Sequence, residues 1–109
     1  MINSRFISVA GGLLLLSGCA SFQVGSDFKL TQFASSVEQG VTTQAQVKEW
    51  LGNPQSTGVV VERDGQKLTR WMYYYSKGTL SNMNNARMKT LEVQFDQNGI
   101  VRAYDWVGE

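Results

Sequence analysis

The chain has 109 residues, with ten basic and nine acidic side chains, no histidine and one cysteine, for a formal net charge of +1. Without histidine a Ser–His or Cys–His nucleophile is excluded, and zinc would have to rest on carboxylates alone, which form no tight cluster in the sequence. The near-neutral balance without a Lys/Arg run argues against nucleic-acid binding, and the length suits one small domain.

The amino-terminal segment reads as an export signal. Arg5 supplies a cationic start, Phe6 to Leu16 an apolar stretch of h-region length, and Ser17-Gly18 the small residues that precede a cleavage point. The run is too short to cross a bilayer, which takes about 20 apolar residues. Leu16-Ser17-Gly18-Cys19 resembles the lipobox of bacterial lipoproteins, in which the thiol takes a diacylglyceryl group, the peptide is cut before it and the new terminus is acylated. Two or more acyl chains, at about 0.8 kcal/mol per buried methylene, make a stable anchor. The plainer alternative is a secretory signal with an incidental cysteine, but a lone thiol has no intrachain partner in an oxidising compartment. In such lipoproteins the residue after the cysteine directs sorting, and Ala20 in place of aspartate implies the outer membrane, facing the periplasm. The expected organisation is a signal peptide over 1–18, a lipidated tether over 19–27 containing Ser21, Gly25 and Ser26, and a folded domain over 28–109. Cleavage removes Arg5 and leaves nine basic against nine acidic residues.

From Leu30 onward the spacing of Leu30, Phe33, Ala34 and Val37 predicts a helix, with Thr31 or Ser26 as cap and Gly40 as its end. Thr43 followed by Gln46 predicts a capping box opening a second helix, with Val47, Trp50 and Leu51 as its apolar stripe, Gly52 as its cap and Pro54 barring continuation. Two short helices are marginal alone and need a sheet to lie on. Strands are predicted over Gly58 to Glu62, Lys67 to Ser76, Met88 to Asp96 and Ile100 to Val107, with tight turns at Asp64-Gly65 and Asn98-Gly99. Lys77 to Arg87, rich in Gly, Ser and Asn, reads as a mobile exposed loop.

Gly40-Val41-Thr42-Thr43, Val47, Leu51-Gly52 and Pro54, then Trp71 and Tyr73, then Val93-Gln94-Phe95-Asp96 with Gly99 and Val101, resemble in order the motifs of the SmpA/OmlA (BamE-like) outer-membrane lipoprotein family. The resemblance implies an α+β domain of ααβββ order, in which two N-terminal helices pack on one face of a three- to four-stranded antiparallel sheet. It also implies a non-catalytic assembly or scaffold subunit of an envelope complex, acting with the machinery that folds outer-membrane β-barrels. Phe28-Lys29-Leu30-Thr31 matches the family's segment before helix one only loosely.

Read residue by residue, Thr43, Gly52 and Pro54 define a helix, and Leu91, Val93 and Phe95 fill a core. The resemblance implies that Trp71, Tyr73 and Tyr75 face the helices, and strand parity then turns Arg70, Met72 and Tyr74 away. On the last strand it places Val101 and Ala103 inward and Arg102, Tyr104 and Trp106 outward. A solvated face should be polar, whereas Met, Tyr, Trp and Arg are enriched in interface cores. Arg70, Met72, Tyr74, Arg102, Tyr104 and Trp106 are therefore the candidate partner-binding residues, the alternative being that the rings pack on one another or under the 77–87 loop. No cofactor is expected beyond covalent lipid on Cys19, and the nine scattered acids read as a solvated surface. Alongside the scaffold reading stand a protein-binding or inhibitor module of the β-lactamase-inhibitor-like type and, third, an enzyme acting on cell-wall material.

Overall fold

The computed structural model describes residues 21–80 and 82–108. The export signal over 1–18 and the lipidation site Cys19 lie outside the described residues. The element order is β1 (Ser21–Gly25), α1 (Leu30–Ser36), α2 (Gln44–Leu51), β2 (Ser56–Val61), β3 (Lys67–Thr79), β4 (Asn82–Phe95) and β5 (Val101–Val107).

The expected architecture, two helices packed on a three- to four-stranded sheet, is overturned. The described residues form one five-stranded antiparallel sheet in the order β1-β3-β4-β5, with β2 also paired to β3, and the helices are reduced to seven and eight residues. Two misread segments account for the difference. Ser21–Gly25, expected as tether, is a strand, because Phe22 and Val24 alternate with Ser21, Gln23 and Gly25, which are polar or lack a side chain, and β3 offers an edge to pair with. Lys77 to Arg87, expected as a mobile loop, carries β3 and β4 onward, since each strand supplies backbone partners to the other and local propensity is overridden. At thirteen residues β3 spans about 40 Å.

No single neighbour covers the outer edge of β3. β2 pairs with Lys67 to Met72 and β1 with Tyr75 to Thr79, end to end along that edge. Gln55 bridges the gap between them: its N–H donates to the Met72 carbonyl at 2.9 Å, and its side-chain oxygen accepts from the Tyr74 N–H at 3.1 Å. The next turn of chain depends on Gly25. Its φ of 73° takes β1 off the edge, and a Cβ there would stand 2.1 Å from the Tyr74 carbonyl oxygen.

Helix boundaries follow local chemistry. At α2 the Thr43 hydroxyl accepts from the Gln46 N–H at 3.2 Å while the Gln46 side chain accepts from the Thr43 N–H at 3.0 Å, the reciprocal box expected, and Gly52 is its C-cap. At α1 the expectation fails: Lys29 is the N-cap without a side-chain bond, and the helix stops at Val37 rather than Gly40. Gly40 instead donates to the Val101 carbonyl at 2.8 Å, Val101 donates to Thr42 and Gln44 donates to Gly99. The segment before α2 is thereby sewn to the β4–β5 turn.

One apolar cluster forms under the helices. Phe28, Leu30, Phe33 and Val47 meet Tyr73, Leu91, Val93, Phe95 and Val101 of the sheet, with Trp50, Leu51, Trp71, Tyr75 and Tyr104 around it. Rings meet tilted or edge to face, Phe33 with Tyr104 at 5.6 Å and Trp71 with Phe95 at 4.8 Å. Tyr73 is 1% exposed and its hydroxyl donates to the Gly52 carbonyl at 2.8 Å, joining sheet to helix end.

Two predictions follow from this core. Thr43→Ala should lower stability by about 0.5–2 kcal/mol and Leu91→Ala, which opens a cavity, by about 2–5 kcal/mol. Urea denaturation of the two variants beside Thr90→Ala checks the ranking, since Thr90 faces away from the cluster. Burial pushes the Tyr73 phenol well above its ordinary value near 10. Below that pH the phenol is neutral in folded and unfolded chains alike. Above it the unfolded chain ionises first, so stability falls as pH rises past about 10. In Tyr73→Phe this alkaline loss should shrink, at a cost near neutrality of about 1 kcal/mol for the hydroxyl's bond, as read by denaturation at pH 7 and above pH 10.

Candidate functional site: the uncovered face of the sheet

Both helices lie on one side of the sheet, which leaves the opposite side for partners. Register fixes its occupants. On β3 these are Leu68, Arg70, Met72, Tyr74, Ser76 and Gly78, and on β4 they include Gln94, Glu92, Thr90 and Met88. Arg70, Met72 and Tyr74 thus stand on the face expected of them, each half-buried.

The other three candidates divide, and the cause is one residue. Phe95 pairs with Val101, yet Gln94 pairs with Ala103, so Arg102 is an extra residue in β5. Such a bulge reverses the alternation of everything that follows. Val93 now pairs with Tyr104 and Leu91 with Trp106, which puts both rings on the helix side, contrary to the outward placement expected. Tyr104 packs edge to face on Phe33, and Trp106 lies parallel to Tyr104 at 6.1 Å between centroids and remains 42% exposed. Ala103, expected inward, is exposed beside Gln94 on the uncovered side. Arg102 remains outward, where its guanidinium meets Glu62 at 3.0 Å, and its carbonyl accepts from the Gln39 side chain at 2.7 Å.

The uncovered face has two halves of different character. Near the β2–β3 turn, Leu68 is 2% exposed and lines a shallow groove with Glu62, Gln94, Arg102 and Ala103. The Arg70 guanidinium lies over Gly58, 3.0 Å from where a Cβ would sit. Charged groups thus line this half of the face together with Leu68. Toward the hairpin end the face turns apolar. The row Val24, Ser76 and Met88 neighbours the row Tyr74, Thr90 and Val107, and Val24, Met88 and Val107 are all more than half exposed. Gly78 has Phe22 and Ala86 so close that a Cβ would meet both at 3.0 Å, which keeps this end flat.

Phe22, Val24 and Met88 are not among the candidates read from sequence, because the first two fall in the expected tether and Met88 opens an expected strand beside the expected loop. The alternation of Phe22 and Val24 was the signal that could have found them. The bulge left no such trace, since nothing in Val101-Arg102-Ala103 marks the extra residue.

On the helix side, the Lys89 ammonium donates to the Phe28 carbonyl at 2.6 Å, pairs with Asp27 and stands 4.9 Å from the Phe28 ring centre. The hydrogen bond from Lys89, aided by the charge of Arg87, holds the Asp27 carboxyl below its usual range despite some desolvation. The contact ties the chain leaving β1 to β4. Among the described residues no three acidic or thiol side chains come together as a metal cluster, and no helix is long and apolar enough to cross a membrane.

Neither a family model, nor a curated protein, nor a solved structure matches this chain.

The reversed parity is measurable. Tyr104→Ala should destabilise by about 2–4 kcal/mol because its ring supports Phe33, whereas Val107→Ala on the opposite side should stay within about 0.5 kcal/mol. Chemical denaturation of both variants checks this, and the opposite order would restore the unbulged register.

Proposed function

We propose that this chain is a lipid-anchored, non-catalytic binding subunit of a cell-envelope complex, of the SmpA/OmlA kind, held at the outer membrane and facing the periplasm. The observation that carries the reading is the combination of a lipobox-like end to an apolar leader with a sheet covered by helices on one side only. An antiparallel sheet whose second face met water alone would carry polar residues there. This one carries Met72, Tyr74, Met88 and Val107 among Ser76, Thr90, Glu92 and Gln94, and methionine and tyrosine are residue types enriched where proteins dock.

The motif residues behind the family resemblance work as structure. Gly40 to Gln44 and Gly99 to Val101 hydrogen-bond to each other, and Thr42 is buried with its hydroxyl accepting from the Glu38 N–H at 2.8 Å. They support the helix side and leave recognition to the other face. The partner in this reading is an envelope protein, with the barrel-assembly machinery as the first candidate.

Mass spectrometry of the mature amino terminus tests the anchor: the expected species begins at Cys19 and carries acyl mass, and Cys19→Ser abolishes it. Pull-down from detergent-solubilised membrane tests the face. Tyr74→Ala and Met72→Ala should each weaken partner retention by roughly tenfold or more while changing stability by about 1 kcal/mol or less, as at an interface hot spot. Retention of a barrel-assembly complex supports the scaffold reading, whereas a soluble hydrolase held stoichiometrically supports the inhibitor-like alternative. Normal retention by both variants removes this face from the function.

A further inference from the structure

We propose that the outer edge of β2 takes up an extended segment of a partner protein as an added strand, and that Arg70 binds a carboxylate carried by that segment. The inference rests on the reading of the chain as a binding subunit and adds to it an edge and a ligand class. It holds with or without acylation of Cys19.

Among the described residues β1, β2 and β5 each leave an edge of the sheet open, and the three are defended unequally. β5 carries Arg102 and Asp105 and is kinked by its bulge. Gly40 and Thr42 bond to Val101, and the Gln39 side chain covers the Arg102 carbonyl. β1 has five residues and turns away at Gly25. β2, Ser56–Val61, is a β-branched run without charge or proline, and only β3 pairs with it. Folded sheets ordinarily blunt their edges with charge, proline or bulges, so a bare edge is a template for another strand.

The ladder dictates what this edge presents. The Glu62 N–H donates to the Gln66 carbonyl at 2.8 Å, so the backbone of Glu62 faces β3. Alternation then turns the N–H and C=O groups of Val61, Val59 and Thr57 outward. The side chains of the same three residues stand on the helix side, since their partners are Lys67, Thr69 and Trp71. Val59 and Val61 are nevertheless 63% and 62% exposed, so the helices leave this stretch open. A strand laid along it gains backbone hydrogen bonds from three residues and covers both valines.

Arg70 gives the edge its chemistry. Because Gly58 has no side chain, the Arg70 guanidinium occupies the space above it, with Nη2 3.0 Å and Nε 3.5 Å from where a Cβ would sit. The Nε is buried without a hydrogen-bond partner. Acids that share this face or adjoin it are engaged elsewhere. Glu62 holds Arg102, Glu92 accepts from the Gln94 amide at 2.6 Å, and Asp96 accepts from the Asn98 and Ile100 N–H groups. The guanidinium therefore lies unpaired beside the position that an added strand would set opposite Gly58. A carboxylate there completes a charge-assisted contact, the stronger kind of hydrogen bond. A second copy of β2 does not supply it, because the antiparallel register that sets Val59 opposite its own copy brings Val60 to Gly58. The occupant is instead a partner segment with β-branched residues at alternate positions and an aspartate or glutamate between them.

The experiment uses the full-length product in detergent. The probe is an end-blocked fluorescent peptide, Val-Thr-Val-Glu-Val-Thr between serine pairs, beside a counterpart with glutamine in place of glutamate, and binding is read by anisotropy. The expected result is saturable binding of the glutamate peptide, about tenfold tighter than that of the glutamine peptide. Arg70→Gln should remove the preference and leave both peptides at the weaker affinity. Val59→Pro, whose lost N–H faces away from β3, should keep the fold in thermal unfolding and abolish binding of both peptides. Methylating the peptide nitrogens that face β2 should have the same effect with the chain untouched, whereas methylating the alternate nitrogens should not. Equal affinities for the two peptides, or no binding of either, overturn the proposal. Binding that survives methylation of the facing nitrogens but is lost in Tyr74→Ala belongs to the open face, and overturns the edge site alone. A doubled mass without peptide, abolished by Val59→Pro, gives the edge to a second copy and overturns the partner assigned to it. The binding-subunit reading is decided separately, by membrane pull-down with Tyr74→Ala and Met72→Ala.

Discussion

The fold depends on the backbone hydrogen-bonding demand of β3. A thirteen-residue strand presents donors and acceptors on two edges, and no other segment on its outer side is long enough to satisfy it. The chain meets the demand in pieces, with β2 on the first half, β1 on the second and the Gln55 side chain on the Tyr74 amide between them. Everything else is arranged around that solution. Gly25 lets the chain turn off the edge past the Tyr74 carbonyl, and the segment so released carries Phe28, Leu30 and Phe33 across to cover one side of the sheet.

Because the helices are short, they cover one side and only part of its length. The ends of α2 are secured by contacts with the sheet as well as by its own caps: the Tyr73 hydroxyl donates to the Gly52 carbonyl, and the Gly99 to Val101 turn holds the entry to the helix. Seven or eight residues would not keep helical order in isolation. The hairpin end, by contrast, carries no helix. It is a three-stranded ribbon of β1, β3 and β4, basic on one side and apolar on the other. The proposed partner surface follows from that asymmetry, on the face that the helices leave uncovered.

The bulge at Arg102 decides which aromatic rings belong to that face. Without it Tyr104 and Trp106 would extend the row of Tyr74 and Met72. With it they complete the packing around Phe33, and Ala103 and Val107 take their places outside. The uncovered face is consequently less aromatic than strict alternation implied, and more aliphatic and thioether in character, through Val24, Met72, Met88 and Val107. Such surfaces are adaptable, since methionine fills irregular gaps with little strain.

Local chemistry alone determined the parts of this protein whose partners are near in sequence. The Thr43–Gln46 box, the Asp64-Gly65 and Asn98-Gly99 turns, and the inward row of Leu91, Val93 and Phe95 each rest on residues within a few positions of one another. Tertiary structure decided what depends on distant pairing. Ser21–Gly25 is a strand only because Tyr75 to Thr79 needs a neighbour, and the hairpin outgrows its Gly- and Asn-rich composition only because β3 and β4 complete each other. The extra residue at Arg102 likewise arises where β5 must meet β4 while Gly40 and Thr42 hold Val101 from the other side. A strand's side chains alternate by local rule, but its register is set by whatever lies across the ladder, and no window of sequence contains both sides.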